Sequence, residues 1–181
     1  MGYYKTLSSN IKDENPYWRY KHDKYKLVNG KEADYYYVET NGNSMVVPVL
    51  DDGRLVLVMQ HRYLSGKLSV EFPCGGIFKN ETPLECVSRE LLEETGFRAK
   101  EIMKVSSFEP LNGLARDTTH LFVGYGIAQE QEPALDETED VEVVIRRIDE
   151  FEEMIRRGEV WDGQTLASWA IASEYVKKYL S

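Results

Sequence analysis

The stretch from Gly75 to Phe97, GGIFKNETPLECVSRELLEETGF, constrains this chain more than any other. Thr82 can cap a helix N-terminus, Pro83 suits the first helical position, and Glu85 stands where a capping box places its acid. Gly96 suits the left-handed residue that ends a helix. Between those ends Leu84, Val87, Leu91 and, less cleanly, Leu92 form an apolar side, while Glu90, Glu93 and Glu94 gather on another. A short Glu-rich stretch is usually a solvated face. Carboxylates at this spacing, however, repel by roughly a few tenths of a kcal/mol per pair, and a helix that needed only solubility would interleave lysines. Carboxylate oxygens are hard donors, and a set of them without His or Cys suits Mg²⁺ or Mn²⁺ rather than zinc.

The wider spacing decides between the two readings. Gly75, five residues, Glu81, seven residues, then Arg89-Glu90-Leu91, Glu93-Glu94, Gly96 and Phe97 fill every fixed position of a pattern that resembles the signature of the Nudix hydrolases. Upstream, Gln60, Arg62 and the run Glu71-Phe72-Pro73-Cys74-Gly75, with the Asn15-Pro16 opening and the hairpin from Gly30 to Glu39, are similar to the ADP-ribose pyrophosphatase-like branch of that family. The resemblance implies an α/β fold, an α/β/α sandwich with a mixed sheet, plus a small N-terminal antiparallel β-sheet. It implies metal ligands at Glu90, Glu93, Glu94, the backbone carbonyl of Cys74, and Glu139. Glu137, Glu139, Glu94 and Arg89 form the implied catalytic set, in which Arg89 also pairs with Glu81 and braces the glycine-rich loop. Arg62, Glu71 and Trp18 are the implied substrate contacts. On its residue chemistry alone, Arg62 suits either a phosphate or a surface ion pair.

Read in order, residues 1 to about 14 are polar, a short strand or a loose arm. Two β-prone runs, Tyr20–Leu27 and Ala33–Thr40, flank Asn29-Gly30 and predict a hairpin. Such a two-stranded unit is marginal alone and must pack on something. Its tyrosines, among them Tyr17, Tyr20, Tyr25 and Tyr35, suit an interface, so residues 1–44 are expected to form a dimerising β subdomain and residues 45–181 the main domain. Ser44–Leu50 and Leu55–Gln60 around Asp51-Asp52-Gly53 read as a hairpin of the main sheet. Strands follow at Leu68–Phe72, Ala99–Phe108, Thr118–Gly126 and Val141–Ile148. Helices follow at Asp149–Arg157 and Thr165–Leu180, and Glu109–Gly113 reads as a breaker-rich loop. Pro133–Glu142 is an acidic loop, its Asp136–Glu142 run ordinarily a solvated charge run; in the branch it resembles, a similar loop carries glutamates to the metal site.

With a net charge of −9 and a pI near 4.9, the chain is a poor partner for nucleic-acid backbones or anionic membranes. Its two cysteines, Cys74 and Cys86, lack zinc spacing. No long apolar run or signal pattern is found, so the expectation is a cytoplasmic protein. Acids and arginine without a Ser-His-Asp or Cys-His arrangement favour metal-assisted hydrolysis. The expected substrate is a nucleotide sugar, ADP-ribose first. GDP-mannose or another nucleotide pyrophosphate is the alternative, because Pro110 and the Leu114–Asp117 segment depart from the pattern of ADP-ribose-cleaving relatives. A catalytically silent nucleotide-sugar sensor is the reading from another class, and the intact box glutamates weigh against it.

Overall fold

The computed structural model describes residues 3–135 and 140–180. Along the chain run β1 (Lys5–Glu14), β2 (Arg19–Lys26), β3 (Glu32–Glu39), β4 (Asn43–Pro48), β5 (Leu55–Arg62), β6 (Lys67–Glu71), β7 (Cys74–Gly76), α1 (Pro83–Thr95), β8 (Phe97–Arg98) and β9 (Glu101–Phe108). They are followed by β10 (Ala115–Arg116), β11 (Thr119–Tyr125), β12 (Ala128–Gln129), β13 (Val141–Arg146), α2 (Ile148–Arg156) and α3 (Gly163–Tyr179). The chain divides into two compact units, Met1–Gly42 with Glu109–Thr118, and Asn43–Phe108 with Thr119–Ser181.

The first unit is a sheet of order β1-β2-β3-β10. Gly30, at φ +84°, turns β2 into β3, and its N–H donates to Leu27 O at 2.9 Å. Only a residue that accepts positive φ closes so tight a turn without strain. Residues 5–14, left between strand and arm by their polarity, form an exposed edge strand with register shifts near Leu7 and Lys12. Just past the expected loop Glu109–Gly113, Ala115 and Arg116 form β10, a strand not expected from sequence, which lies parallel to β3 with Ala115 opposite Val38. Arg116 bonds Glu39 at 2.7 Å, and Tyr35 Oη donates to Gly113 O at 2.8 Å, so side chains hold what the two-residue ladder alone would not.

In the second unit β7-β4-β11-β9 form a mixed sheet, with β4 parallel to β11 and antiparallel to β7. A separate antiparallel sheet has the order β13-β5-β6. The expected hairpin of β4 and β5 is therefore corrected: the two meet only at the bridge Val49–Leu55 and belong to different sheets. A strand has two edges, and both edges of β4 are taken, by β7 and β11. Pro48, at its end, has no N–H with which to extend a ladder toward β5.

Successive strand residues alternate faces, and the sequence exploits it. Met45, Val47, Val49, Leu55, Leu57, Leu121 and Val123 point to one side and pack with Phe151 of α2 and Trp169, Ala172 and Val176 of α3. Val46, Val56 and Phe122 point to the other and meet Val87 and Leu91 of α1. The result is the expected α/β/α sandwich. No helix among the described residues is long and apolar enough to cross a membrane.

Candidate active site

The helix carrying the acids is terminated as its sequence requires. Thr82 Oγ1 accepts from Glu85 N at 3.2 Å, while Thr82 N donates to Glu85 Oε2 at 2.8 Å, closing the capping box. At the other end Gly96 adopts φ +73° and donates to Leu92 O at 2.8 Å. A good cap contributes about 1 kcal/mol, so these ends fix where α1 starts and stops, and with them the height of its side chains.

Arg89 gathers the loop in front of α1. Its guanidinium donates through Nε to Glu81 Oε1 at 2.8 Å and through Nη2 to Glu81 Oε2 at 3.1 Å. It also reaches Gly76 O at 3.3 Å and lies 4.1 Å from the centre of the Phe78 ring. Glu81 in turn accepts from Phe78 N at 2.9 Å. The expected brace is thus present as a fork on one carboxylate plus two contacts to the loop backbone. The Arg89 guanidinium holds Glu81 below the usual carboxylate range, and Glu81, despite partial burial, leads the groups that push Arg89 upward. The same guanidinium touches Glu90 at 2.6 Å and Glu93 at 3.0 Å.

The three helix glutamates differ in environment. Glu93 is 45% exposed, the Glu90 side chain is 12% exposed, and Glu94 is buried at 6%. Glu94 Oε2 accepts from the backbone N–H of Cys74 at 3.1 Å. Glu90 lies so close over Gly75 that a methyl group there would overlap its carboxylate. Gly75 therefore needs its missing side chain for close approach, and β7 and α1 meet with Glu90 and Glu94 turned onto Cys74 and Gly75. Burial, then the charges of Glu94 and Glu90, push the Cys74 thiol well up. Burial also pushes Cys86 to about 12, where its thiol donates to Gly75 O at 3.4 Å.

Arg89 meets the charge of Glu90 from one side, and Glu94, buried one helical turn on, adds a second carboxylate whose charge is costly to bury. Among the described residues, no three His, Cys, Asp or Glu side chains form a ready-made metal cluster. Mg²⁺ does not require one, since it is commonly held by one or two carboxylates with water and substrate phosphates. Glu90, Glu94 and the backbone of Cys74 fit that habit. Glu137 and Glu139 lie outside the described residues. The chain just before them is tied to α1, because Glu130 N donates to Gly96 O at 2.9 Å and Ala134 N to Glu93 O at 2.8 Å.

Arg62 and Glu71 come together on neighbouring strands. Arg62 Nε donates to Glu71 Oε1 at 2.7 Å and a second guanidinium nitrogen reaches Oε2, while Gln60 Nε2 stands 3.5 Å from Oε2. Glu71 is 2% exposed and the Arg62 side chain 46%, so an ion pair holds one side of the guanidinium and the rest faces solvent. Trp18 belongs to the first unit, where its N–H donates to Asn15 Oδ1 at 3.0 Å. Sequence reasoning missed Asn43, Gln164 and Thr165, which contact the Phe72–Cys74 segment or its neighbours. The one available signal was polar residues at inward positions of α3, where Thr165 and Ser168 are fully buried.

Fold and helix together define an α/β/α protein organised around a glutamate-bearing helix. A model of the NUDIX domain matches residues 40–169. The chain is 33% identical over 153 residues to an ADP-ribose pyrophosphatase of Bacillus subtilis (strain 168), covering 84% of this chain and 80% of the relative. It is 31% identical over 156 residues to a methanol dehydrogenase activator of Bacillus methanolicus, covering 86% and 82%. To a GDP-mannose pyrophosphatase of Escherichia coli O1:K1 / APEC it is 28% identical over 137 residues, covering 72% of each. The crystal structure of an ADP compounds hydrolase superposes with a TM-score of 0.85 at 19% identity, covering 99% of this chain and 97% of that one, a likeness of fold. The chain belongs to the Nudix hydrolase family, on its ADP-ribose pyrophosphatase-like branch.

Proposed function

We propose that this chain is a Mg²⁺-dependent hydrolase of the pyrophosphate in a nucleoside diphosphate sugar, with Mn²⁺ as an alternative ion, and that ADP-ribose is its substrate, giving AMP and ribose 5-phosphate. The observation that carries the reading is the convergence of Glu90 and Glu94 on the Gly75–Cys74 backbone. Glu90, Glu93, Glu94, the Cys74 carbonyl and Glu139 are the proposed holders of the cation. When bound, a divalent cation neutralises phosphate oxygens and acidifies water. Glu137 or Glu139 takes the proton from the attacking water, and Glu94 and Arg89 complete the catalytic set, Arg89 by fixing the loop through Glu81. The exposed side of Arg62, held by Glu71, receives a phosphate oxygen, and Trp18 offers a ring to the nucleotide. The similarity to the Bacillus subtilis ADP-ribose pyrophosphatase favours ADP-ribose, while that to the GDP-mannose pyrophosphatase keeps GDP-mannose as the second reading.

The N-terminal β region is the proposed homodimer contact, supported by its exposed Tyr3, Tyr4, Tyr20, Tyr36, Leu7 and Ile11. A cytoplasmic location and indifference to nucleic acid and membrane agree with the net charge of −9. A panel of ADP-ribose, GDP-mannose and other nucleotide sugars, incubated with Mg²⁺, Mn²⁺ or chelator and scored for nucleoside monophosphate, tests the assignment. AMP from ADP-ribose, abolished by chelator, is the expected result. GMP release from GDP-mannose alone would move the assignment to the second reading, and metal-independent turnover would remove the cation from it.

A further inference from the structure

Behind the loop that carries Cys74 runs a chain of polar side chains that the proposed reaction does not use. Cys74 is gripped from two sides. Its backbone N–H donates to Glu94 of α1, and its thiol donates to Asn43 Oδ1 at 3.6 Å. Gln164, in the first turn of α3, stands with Nε2 3.5 Å from the same Asn43 oxygen and donates to Thr119 Oγ1 at 2.9 Å. One residue on, Thr165 Oγ1 accepts from Phe72 N at 3.3 Å, and Asp162 fixes this helix end by accepting from Thr165 N at 2.7 Å. Both ends of Phe72–Cys74 are thereby tied to the start of α3.

The bonds to Asn43 are long and individually weak, but they converge where polar atoms are costly to bury without partners. Apolar side chains would hold α3 against the sheet equally well. Hydrogen-bonded ones also select one arrangement of the groups they touch, here the Phe72 amide through Thr165 and the Cys74 thiol through Asn43. Cys74 also carries the N–H that meets Glu94 and the carbonyl offered to the cation.

We propose that Asn43 and Gln164 are positioning residues for the cation site, acting through Cys74 to hold its backbone in the geometry that pairs it with Glu94. The proposal rests on the metal reading given above, and its test separates the two. Mn²⁺ binding is measured directly by calorimetry, in the absence of substrate, on the full chain and on Gln164→Leu, Asn43→Ala and Glu94→Gln. Hydrogen exchange at the Cys74 amide and melting of the metal-free protein accompany it. Gln164→Leu should weaken Mn²⁺ binding by about tenfold, as loss of a supporting partner does. It should speed exchange at the Cys74 amide and leave KM unchanged at saturating metal. Adding Asn43→Ala should weaken binding less than additively, since both act through one contact. Asn43 begins β4, so its variant is the more prone to misfold; Gln164→Leu decides, with an unchanged melting temperature as its control. If Glu94→Gln loses Mn²⁺ while Gln164→Leu stays within about twofold of wild type and the Cys74 amide is unaltered, positioning is overturned and the metal reading stands. If Glu94→Gln binds Mn²⁺ as wild type does, both fall together.

Discussion

The two faces of the strands in the second unit are built to different ends. On the α2 and α3 side, Phe72, Phe151 and Trp169 pack ring against ring, with centroids 5.2 to 6.3 Å apart, within a cluster that takes in most of the buried strand residues. On the α1 side a smaller cluster, with Val46, Val87 and Leu91 at its centre, gives way within a turn to Arg89, Glu90 and Glu94. Apolar burial stabilises in proportion to area, whereas buried charges at best break even against desolvation. The difference teaches that one face holds the fold while the other uses that rigidity to keep like charges close together.

Substitutions that act on one face alone would sharpen this contrast. Phe151→Ala should cost about 3–5 kcal/mol of stability, as deletion of a buried ring does, with kcat of the folded protein nearly unchanged. Chemical denaturation and active-site-normalised kinetics read the two, and an equal loss in both would break the contrast. Glu94→Gln should do the opposite, lowering kcat by about two to three powers of ten while shifting the melting temperature little. Turnover equal to wild type at saturating Mg²⁺ would falsify its role.

Arg89→Ala should fall between these, with roughly 1–3 kcal/mol of stability lost alongside activity, because charged hydrogen bonds to Glu81 and the loop go together. A variant with wild-type melting and reduced activity would show a purely chemical role. The smallest effect concerns pH. Arg89 depresses the Glu81 pKa, so its contribution is present above the ordinary carboxylate value of 4.5 and is lost as pH falls through the lower folded value. Melting temperature of the wild type should therefore fall more steeply than that of Arg89→Ala below that value. Parallel curves would mean that the pair adds nothing.

Features written in adjacent residues were legible before the structure. The capping box Thr82–Glu85, the stop at Gly96 and the Asn29-Gly30 turn depend on local geometry, and all are found. What escaped depended on distant partners. β10 is two residues long and exists because Val38 and Glu39 lie beside it. β4 and β5 look like a hairpin until β7 and β11 occupy both edges of β4. The site divides the same way: the spacing of Glu90, Glu93 and Glu94 gave their grouping, but their graded burial follows from where Gly75 and Cys74 come to rest. Gln164 and Asn43 are 121 residues apart in sequence, and no local pattern could have joined them.

The two thiols beside the carboxylates carry one further consequence. Electrophiles and peroxides attack the thiolate, and burial pushes the Cys86 thiol up to about 12, away from that form. Cys74 is pushed up as well, by burial first and then by the charges of Glu94 and Glu90. Burial first, and the neighbouring glutamates second, thus favour the protonated form of both sulfurs, the form that electrophiles attack slowly.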